Sequence, residues 1–378
     1  MHMKMKANRE MRCKFVSLAG ACALLFSMAT ASADTQWYKG NTHAHTVLCG
    51  HADSSPEAVA KWYHDHGYQF LILSEHNIFI DPESVELPED RREDFILIPG
   101  EEITGHKHVH STAVNVHRLI DWTFESEVVS EIIQDHLDRT RDAGGEHILN
   151  HPTYRYAVTS EDMKQVSGLR LFELHNGHPN TVQHAHEVDS GFVTTEDMWD
   201  DMLTSGVAVY GVSSDDTHTL KEWNCEASNP GRGWVMVRSP ELTADSITEA
   251  LRSGEFYATN GVVLSRINRT EEVFQVEVDE KATLEALESP YVIGYRRSEA
   301  SGGTLIEFVG PGGRVLKHVH ARRGSYAIQA DDAYVRCRVT FTRRAGAGYE
   351  QFFAWAQPVF TDGRLEPVPS TGGAPIGD

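Results

Sequence analysis

The sequence predicts an α/β fold that gives way to antiparallel β structure, and three observations predict it. Between residues 37 and 218, short apolar runs alternate with capped amphipathic stretches, the pattern of parallel strands joined through helices. Nearly every one of those runs ends in His, Asp or Glu. After about residue 260 the texture changes to period-two alternation interrupted by Gly, Asp and Ser, which marks half-buried antiparallel strands. At 378 residues, 40% hydrophobic and 24% charged, the chain can bury a large core.

The N-terminus stands outside that pattern. Lys4, Lys6, Arg9, Arg12 and Lys14 precede the apolar run "FVSLAGACALLFSMATA", and "ASA" at 31–33 offers small residues for cleavage. This order reads as a secretory signal over 1–33, so a periplasmic or secreted protein beginning at Asp34 is expected. The run is shorter than the roughly 20 residues a spanning helix needs, so no membrane span is expected in the mature chain. Removing residues 1–33 takes away five of the 34 basic and one of the 55 acidic side chains, which leaves 29 against 54, a net charge of −25 with histidine neutral. So acidic a body is not expected to bind nucleic acid polymers through a general electrostatic footprint. Cys49, Cys225 and Cys337 are too few for a disulfide framework. One bridge, Cys49 to Cys225, is expected to tie together two loops that flank histidine motifs.

In "SSPEAVAKWYHDHG", Ser55 is a helix N-cap, Pro56 takes the first helical position and Gly67 stops the helix. "QFLIL" is a buried strand ending at Ser74-Glu75-His76, and "FILIPGEE" is another ending in Glu101-Glu102. The helix "ESEVVSEIIQDHLDRTRDAGG" leads to "HILNHP", which ends at His151. "LRLFELHN" ends with Glu173 and His175, and the capped helix "TTEDMWDDMLTSG" precedes "VAVYGVSSDDTH", which closes at Asp216 and His218. In a (β/α) barrel the C-terminal strand ends converge on one face, so these residues would meet there. Eighteen of the 21 histidines lie between 43 and 218, which fits one site in a first domain over 34–260. "VFQVEV", "TLIEFV", "YAIQA" and "YVRCRVTF" predict a small antiparallel, β-sandwich-like domain over 261–365, followed by a disordered tail over 366–378.

"NTHAHTVLCGH" places His43, His45 and His51 within nine positions. His43-x-His45 on an extended segment puts both imidazoles on one face, which suits two ligands to one ion. Asp216-x-His218 repeats that geometry at another strand end. Glu102, His110 and His151 add two imidazoles and a carboxylate that can bridge two ions.

Over roughly residues 38–260 the chain resembles the PHP family, the metal-dependent hydrolases named for polymerase-associated and histidinol-phosphatase members. The resemblance rests on the order and spacing of "HAH", "SEHN", "PGEEIT", "HVHSTAVN", "NHP" and "SSDDTH". It implies a distorted, seven-stranded (β/α)7 TIM-like barrel. It also implies His43, His45, Glu102 and Asp216 on one ion, Glu102, His110 and His151 on a second, and His51, His76 and His218 on a third. Glu102 rather than Glu101 takes the bridging place, because the family pattern is Pro-Gly-x-Glu. Glu75 stands where the family commonly has Asp, a change expected to bear on the support of His76.

Two or three divalent ions are therefore expected, with zinc first and manganese or iron as alternatives. The implied activity is hydrolysis of a small phosphorylated compound by a metal-activated hydroxide, with Glu102 and Asp216 as the central carboxylates. Arg155, four residues beyond His151, is the candidate cation for a phosphate oxygen; an exposed loop arginine is the plain alternative. A carbamate, amide or ester hydrolase using the same ions is a second reading, and a non-catalytic metal- or glycan-binding protein a third. His64, His66, His117, His136, His147, His184 and His186 read as structural, and His106 and His108 as loop residues. His175 and His178, beside Glu173, are equally compatible with substrate contact and with plain structure. Cys49 reads as a small packed residue.

Overall fold

Several strand ends carry the clustered histidines, and the rest of the fold holds those ends in place. In the computed structural model, residues 35–87, 94–181 and 193–364 are described. The expected signal at 1–33, the expected tail at 366–378, and His184 and His186 lie outside the described residues.

The first part of the chain runs β1 (Gln36–Ala44), α1 (Pro56–Asp65), β2 (Phe70–Leu73), β3 (Ile96–Ile98), β4 (Gly100–Thr104), β5 (His110–Val114), α2 (Val129–Asp142), β6 (Glu146–Leu149), α3 (Ser160–Lys164), β7 (Leu171–Asn176), α4 (Thr195–Thr204) and β8 (Tyr210–Ser214). It continues through β9 (Trp234–Ser239), α5 (Ala244–Arg252), β10 (Phe256–Thr259), β11 (Leu264–Arg269), β12 (Val273–Val278), α6 (Glu280–Glu288) and β13 (Tyr295–Arg297). The last strands are β14 (Gly303–Gly310), β15 (Arg314–Val319), β16 (Arg323–Ala327), β17 (Tyr334–Ala345) and β18 (Gly348–Phe360). Local chemistry accounts for the helix starts. The Ser55 side chain accepts from the Ala58 amide ahead of Pro56, and Thr194 and Asp197 form a reciprocal capping box on α4.

The protein is mixed α/β, with several sheets and few helices, and among the described residues the strands form no closed barrel, so the expected distorted (β/α)7 barrel is not confirmed. β1, β2 and β3 pair in parallel within a ten-stranded sheet ordered β15-β14-β17-β18-β10-β9-β1-β2-β3, with β13 also on β18. β4 to β8 form a second, five-stranded sheet. The two sheets touch through isolated bridges, Ala44 to Thr217 and His76 to Glu102. The departure from a regular barrel has a local cause. β4 and β5 are antiparallel and joined by the short turn His106–His108, which leaves no length for a crossover helix.

Apolar residues of both sheets fill the space between them, including Phe70, Ile72, Ile98, Val114, Ile148, Leu171, Val212 and Val235. Burying each such side chain stabilises the fold by about 1.5–3 kcal/mol. Gly40 opposes Phe70 in the β1–β2 register, and a Cβ at that position would lie 2.1 Å from the Phe70 ring; only glycine lets that ring close over the strand.

The antiparallel strands expected after residue 260 are present, and their pairing extends past it. β18 pairs with β10, and β10 with β9, so strands from both parts of the chain share one sheet. Tyr334, Phe353 and Trp355 pack in the same cluster as Phe172, Trp199 and Leu203. Among the described residues, no helix is long and apolar enough to cross a membrane.

Candidate metal centre

His43 lies in β1 and His45 one residue beyond its end. The strand's two-residue period turns both inward, where they are almost wholly buried. Their Nε2 atoms stand 3.0 Å apart. Each also lies 3.3 Å from Oδ1 of Asp216, just past the end of β8.

Glu102, in the centre of β4, faces the same point and is fully buried. Its Oε1 is 3.3 Å from His43, 3.2 Å from His110 and 3.3 Å from His151. Its Oε2 is 2.6 Å from His76 and 3.5 Å from His45. His110 opens β5, His151 follows β6 and His76 follows β2. One carboxylate is thus surrounded by imidazoles from four strand ends. Asp216 and His151 sit at φ +50° and +22°, a backbone region costly for non-glycine residues and frequent at functional sites.

His51 and His218 form an outer group, with Nε2 atoms 3.0 Å apart. The His218 ring stacks on His45 at 4.2 Å, and the His51 ring on His76 at 5.0 Å. All nine expected ligands therefore lie in one continuous cluster. The donor atoms of His43, His45 and Glu102 fall within 4.8 Å of one another, as do those of His45, His76 and His218.

The electrostatics have one theme: buried carboxylates and imidazoles are crowded together and set one another's charge. Burial alone would keep His43 neutral, but Asp216, Glu102 and Glu173 outweigh it and raise its pKa well above the usual histidine value. Burial likewise opposes charge on His45, and Asp216, Cys49, Glu75 and Glu102 reverse it. Glu102 and Asp216 are held well below the ordinary carboxylate range, because surrounding histidines overcome their burial. Protons on histidine thus supply the positive charge that the carboxylates require. Several buried atoms in the cluster still have no hydrogen-bond partner, namely Nδ1 of His45 and His151 and Oε2 of Glu75. A buried donor set of this composition fits divalent cations, which would displace those protons.

A supporting layer orients the donors. Glu173 Oε1 lies 2.8 Å from His43 Nδ1. Its Oε2 accepts from the His151 amide at 2.7 Å and from Asn176 Nδ2 at 2.8 Å, and Ser214 donates to Oε1. Asn150 Nδ2 donates to Glu102 Oε1 at 2.9 Å and is itself held by Thr112. Sequence reasoning left Glu173 unassigned; its place at a strand end beside His175 was the available signal.

Other expected residues fall elsewhere. Arg155 is exposed, with its guanidinium 5.5 Å over the Tyr154 ring. Tyr154 in turn packs edge-on against His151 at 5.3 Å, so Arg155 borders the cluster without entering it. Glu75 supports a different ligand from the one expected: it accepts from the Thr46 amide at 2.6 Å and lies 3.7 Å from His45 Nδ1. The Nδ1 of His76 lies 2.6 Å from the Thr104 hydroxyl. The expected Cys49–Cys225 bridge is absent, since both cysteines are free. Cys49 does not read as mere packing either, because its sulfur lies within 4.8 Å of donor atoms of His51 and His218. His175 is buried between Tyr295 and the Arg232 carbonyl, each 3.0 Å away, which makes it a structural residue. His178 is half-buried, its ring 5.5 Å from His218. His136 and His147 are buried on either side of Ser111, as their structural reading requires.

No family model matches the chain, and no curated protein matches it. Among solved structures it is similar to a two-domain protein from Bacteroides vulgatus that contains a predicted PHP-like metal-dependent phosphoesterase. Identity is 14% and the TM-score 0.42, over 84% of this chain and 95% of that one. The likeness is distant, and the chemistry of the centre rests on its own donor set.

Proposed function

We propose that this protein is a metal-dependent hydrolase that cleaves a phosphoric ester of a small molecule. The observation that carries the reading is Glu102, whose two oxygens face five imidazoles within 3.5 Å, the environment of a carboxylate shared between ions. His43, His45, Glu102 and Asp216 would hold one ion, Glu102, His110 and His151 a second, and His51, His76 and His218 a third. Divalent ions in such a centre acidify water and neutralise charge on a phosphoryl group. Zinc suits the many imidazoles, with manganese or iron as alternatives.

The chain's own residues have defined tasks. Glu173 holds His43 with Nδ1 protonated and Nε2 free to bind. Asn150 fixes one oxygen of Glu102, and Asn176 donates to Asp216 Oδ2 at 3.2 Å. Arg155, at the rim, is placed to meet an anionic group as it arrives. A net charge of −25 after removal of residues 1–33 argues for a small substrate rather than a nucleic acid polymer, and the basic-then-apolar order of residues 4–33 supports export.

The test is a turnover screen of zinc- and manganese-loaded protein on phosphomonoesters, phosphodiesters, carboxylesters and carbamates. Chelator-sensitive hydrolysis of a phosphoester is the expected result. Turnover confined to carbamates or carboxylesters overturns the substrate class, and metal binding without turnover overturns the assignment as an enzyme.

A further inference from the structure

The outer pair of histidines has bonds that fix its protonation. His51 Nδ1 lies 3.2 Å from the Cys49 carbonyl and His218 Nδ1 lies 3.0 Å from the Asp216 carbonyl. A carbonyl oxygen only accepts, so each Nδ1 must be the one that carries hydrogen. In neutral imidazoles both Nε2 atoms then present bare lone pairs, and these face each other at 3.0 Å. Two opposed lone pairs at that distance call for a shared Lewis acid. On one tetrahedral zinc, two imidazole nitrogens stand roughly 3.4 Å apart.

The sulfur of Cys49 shares that position. Its Sγ and the donor nitrogens of His51 and His218 all lie within 4.8 Å of one another. Cys49 is half-buried and free, and it ends a 3₁₀ turn, Val47–Cys49, capped by the Thr46 side chain. Gly50 follows at φ +82°, a conformation that suits glycine and reverses the chain so that residues 49 and 51 can serve one point. A second, independent observation lies on the inner side of the sulfur. Cys49, His45 and Glu75 also have donor atoms within 4.8 Å of one another, and Nδ1 of His45 and Oε2 of Glu75 are buried 3.7 Å apart, too far for a hydrogen bond between them and with no other partner.

We propose that Cys49 is a thiolate ligand of the outer ion, adding one sulfur to the nitrogens of His51, His76 and His218. The inference rests on the metal-centre reading above and adds a donor of a different kind to it. On binding, the thiol proton leaves to solvent and the sulfur takes its place in the coordination sphere. A set with sulfur selects zinc over manganese, whereas the carboxylate-rich inner positions admit either. The outer ion would therefore differ in kind from the inner ones, and Cys49 would be shielded from alkylation only when that ion is present.

Cobalt(II) reports the bond directly, because thiolate coordination gives it an intense near-ultraviolet charge-transfer band. The full-length protein, stripped with a chelator and reloaded with cobalt, should show the band. The Cys49→Ser variant should lose it while still binding cobalt at the inner positions, and Cys225→Ser should keep it. In parallel, iodoacetamide should alkylate Cys49 in the stripped protein and fail to do so after zinc loading, with exposed Cys225 reacting in both states. Cobalt bound without the band, or alkylation of Cys49 unaffected by zinc, overturns the ligand role and leaves the wider metal centre standing. Failure of the protein to bind cobalt at all overturns both.

Discussion

Glu173 Oε1 lies 2.8 Å from His43 Nδ1, and the two residues come from strands of different sheets. A carboxylate in that position fixes the tautomer and ring orientation of a metal-binding histidine. Glu173→Gln should weaken binding at the inner ions by roughly 10–100-fold, measured by competition with a chelating dye. Unchanged affinity would show that Glu173 is packing and not support.

Neighbouring Glu101 and Glu102 point to opposite faces of β4. Glu102 meets the imidazoles, while Glu101 accepts from the Ile120 amide and has its pKa raised to about 7 by burial. Glu102→Gln should remove the ions it bridges and lower turnover by at least roughly 100-fold, the scale of losing several kcal/mol of charge stabilisation. Glu101→Gln should keep its full metal complement. Metal analysis of both variants decides it, and equal losses would refute the bridging role.

The outer histidines make a separate prediction. Intact protein should bind about three ions, and His51→Ala about one fewer, with activity falling sharply. A count of two in the intact protein, together with full activity in His51→Ala, would remove the third ion from the scheme.

Buried histidines away from the centre set the response to acid. Burial pushes His136 down to about 3 and His175 to about 4, so both fold as neutral groups. The unfolded chain binds protons near pH 6.5 where the folded one does not, so stability is full above that pH and falls as pH drops towards the folded values. From pH 7 to pH 5 each such group costs about 2 kcal/mol. Urea unfolding of the chelated protein at both pH values should show the loss, and His136→Gln should reduce it. Equal pH dependence in the variant would contradict the assignment.

Trp355 ties β18 to the residues around the centre. Its indole donates to Glu196 at 3.0 Å and its ring stacks on His175 at 5.7 Å. Trp355→Ala should destabilise the whole protein by about 3–5 kcal/mol in a single unfolding transition. A variant that unfolds in two steps, with the metal centre surviving the first, would mean that the strands after residue 260 stand apart energetically.

Part of the candidate cluster was legible in the sequence because a strand's period and its terminal residue are local properties, while the full set of nine came from the resemblance to the PHP family. His43, His45, Asp216 and His218 announce their geometry within three positions. Glu173 was not legible as a partner of His43, because 130 residues separate them and only the tertiary fold makes them meet. Cys49 misled for a related reason: a single cysteine carries no spacing of its own, and its neighbours His51 and His218 become one set only in space. The alternation after residue 260 revealed strands but not their sheet, since period two says nothing about which edge a strand joins. The seven-stranded barrel failed at β4 and β5, whose apolar pattern is the same whether they run parallel or antiparallel.

The incomplete closure between the two sheets would give the proposed ions a mechanical role. Four backbone hydrogen bonds cross that gap, from His45 to Thr217, Asp216 to His43, Asn77 to Glu102 and Glu102 to Glu75, at 2.9–3.0 Å. Each lies at or beside a side chain of the candidate metal centre, and the donors on either side come from different sheets. Ions gripped there would be rivets across a seam that the backbone barely stitches. Amides along it should exchange hydrogen quickly in the stripped protein and slow down together on loading, so that the centre sets the rigidity of the fold that presents it.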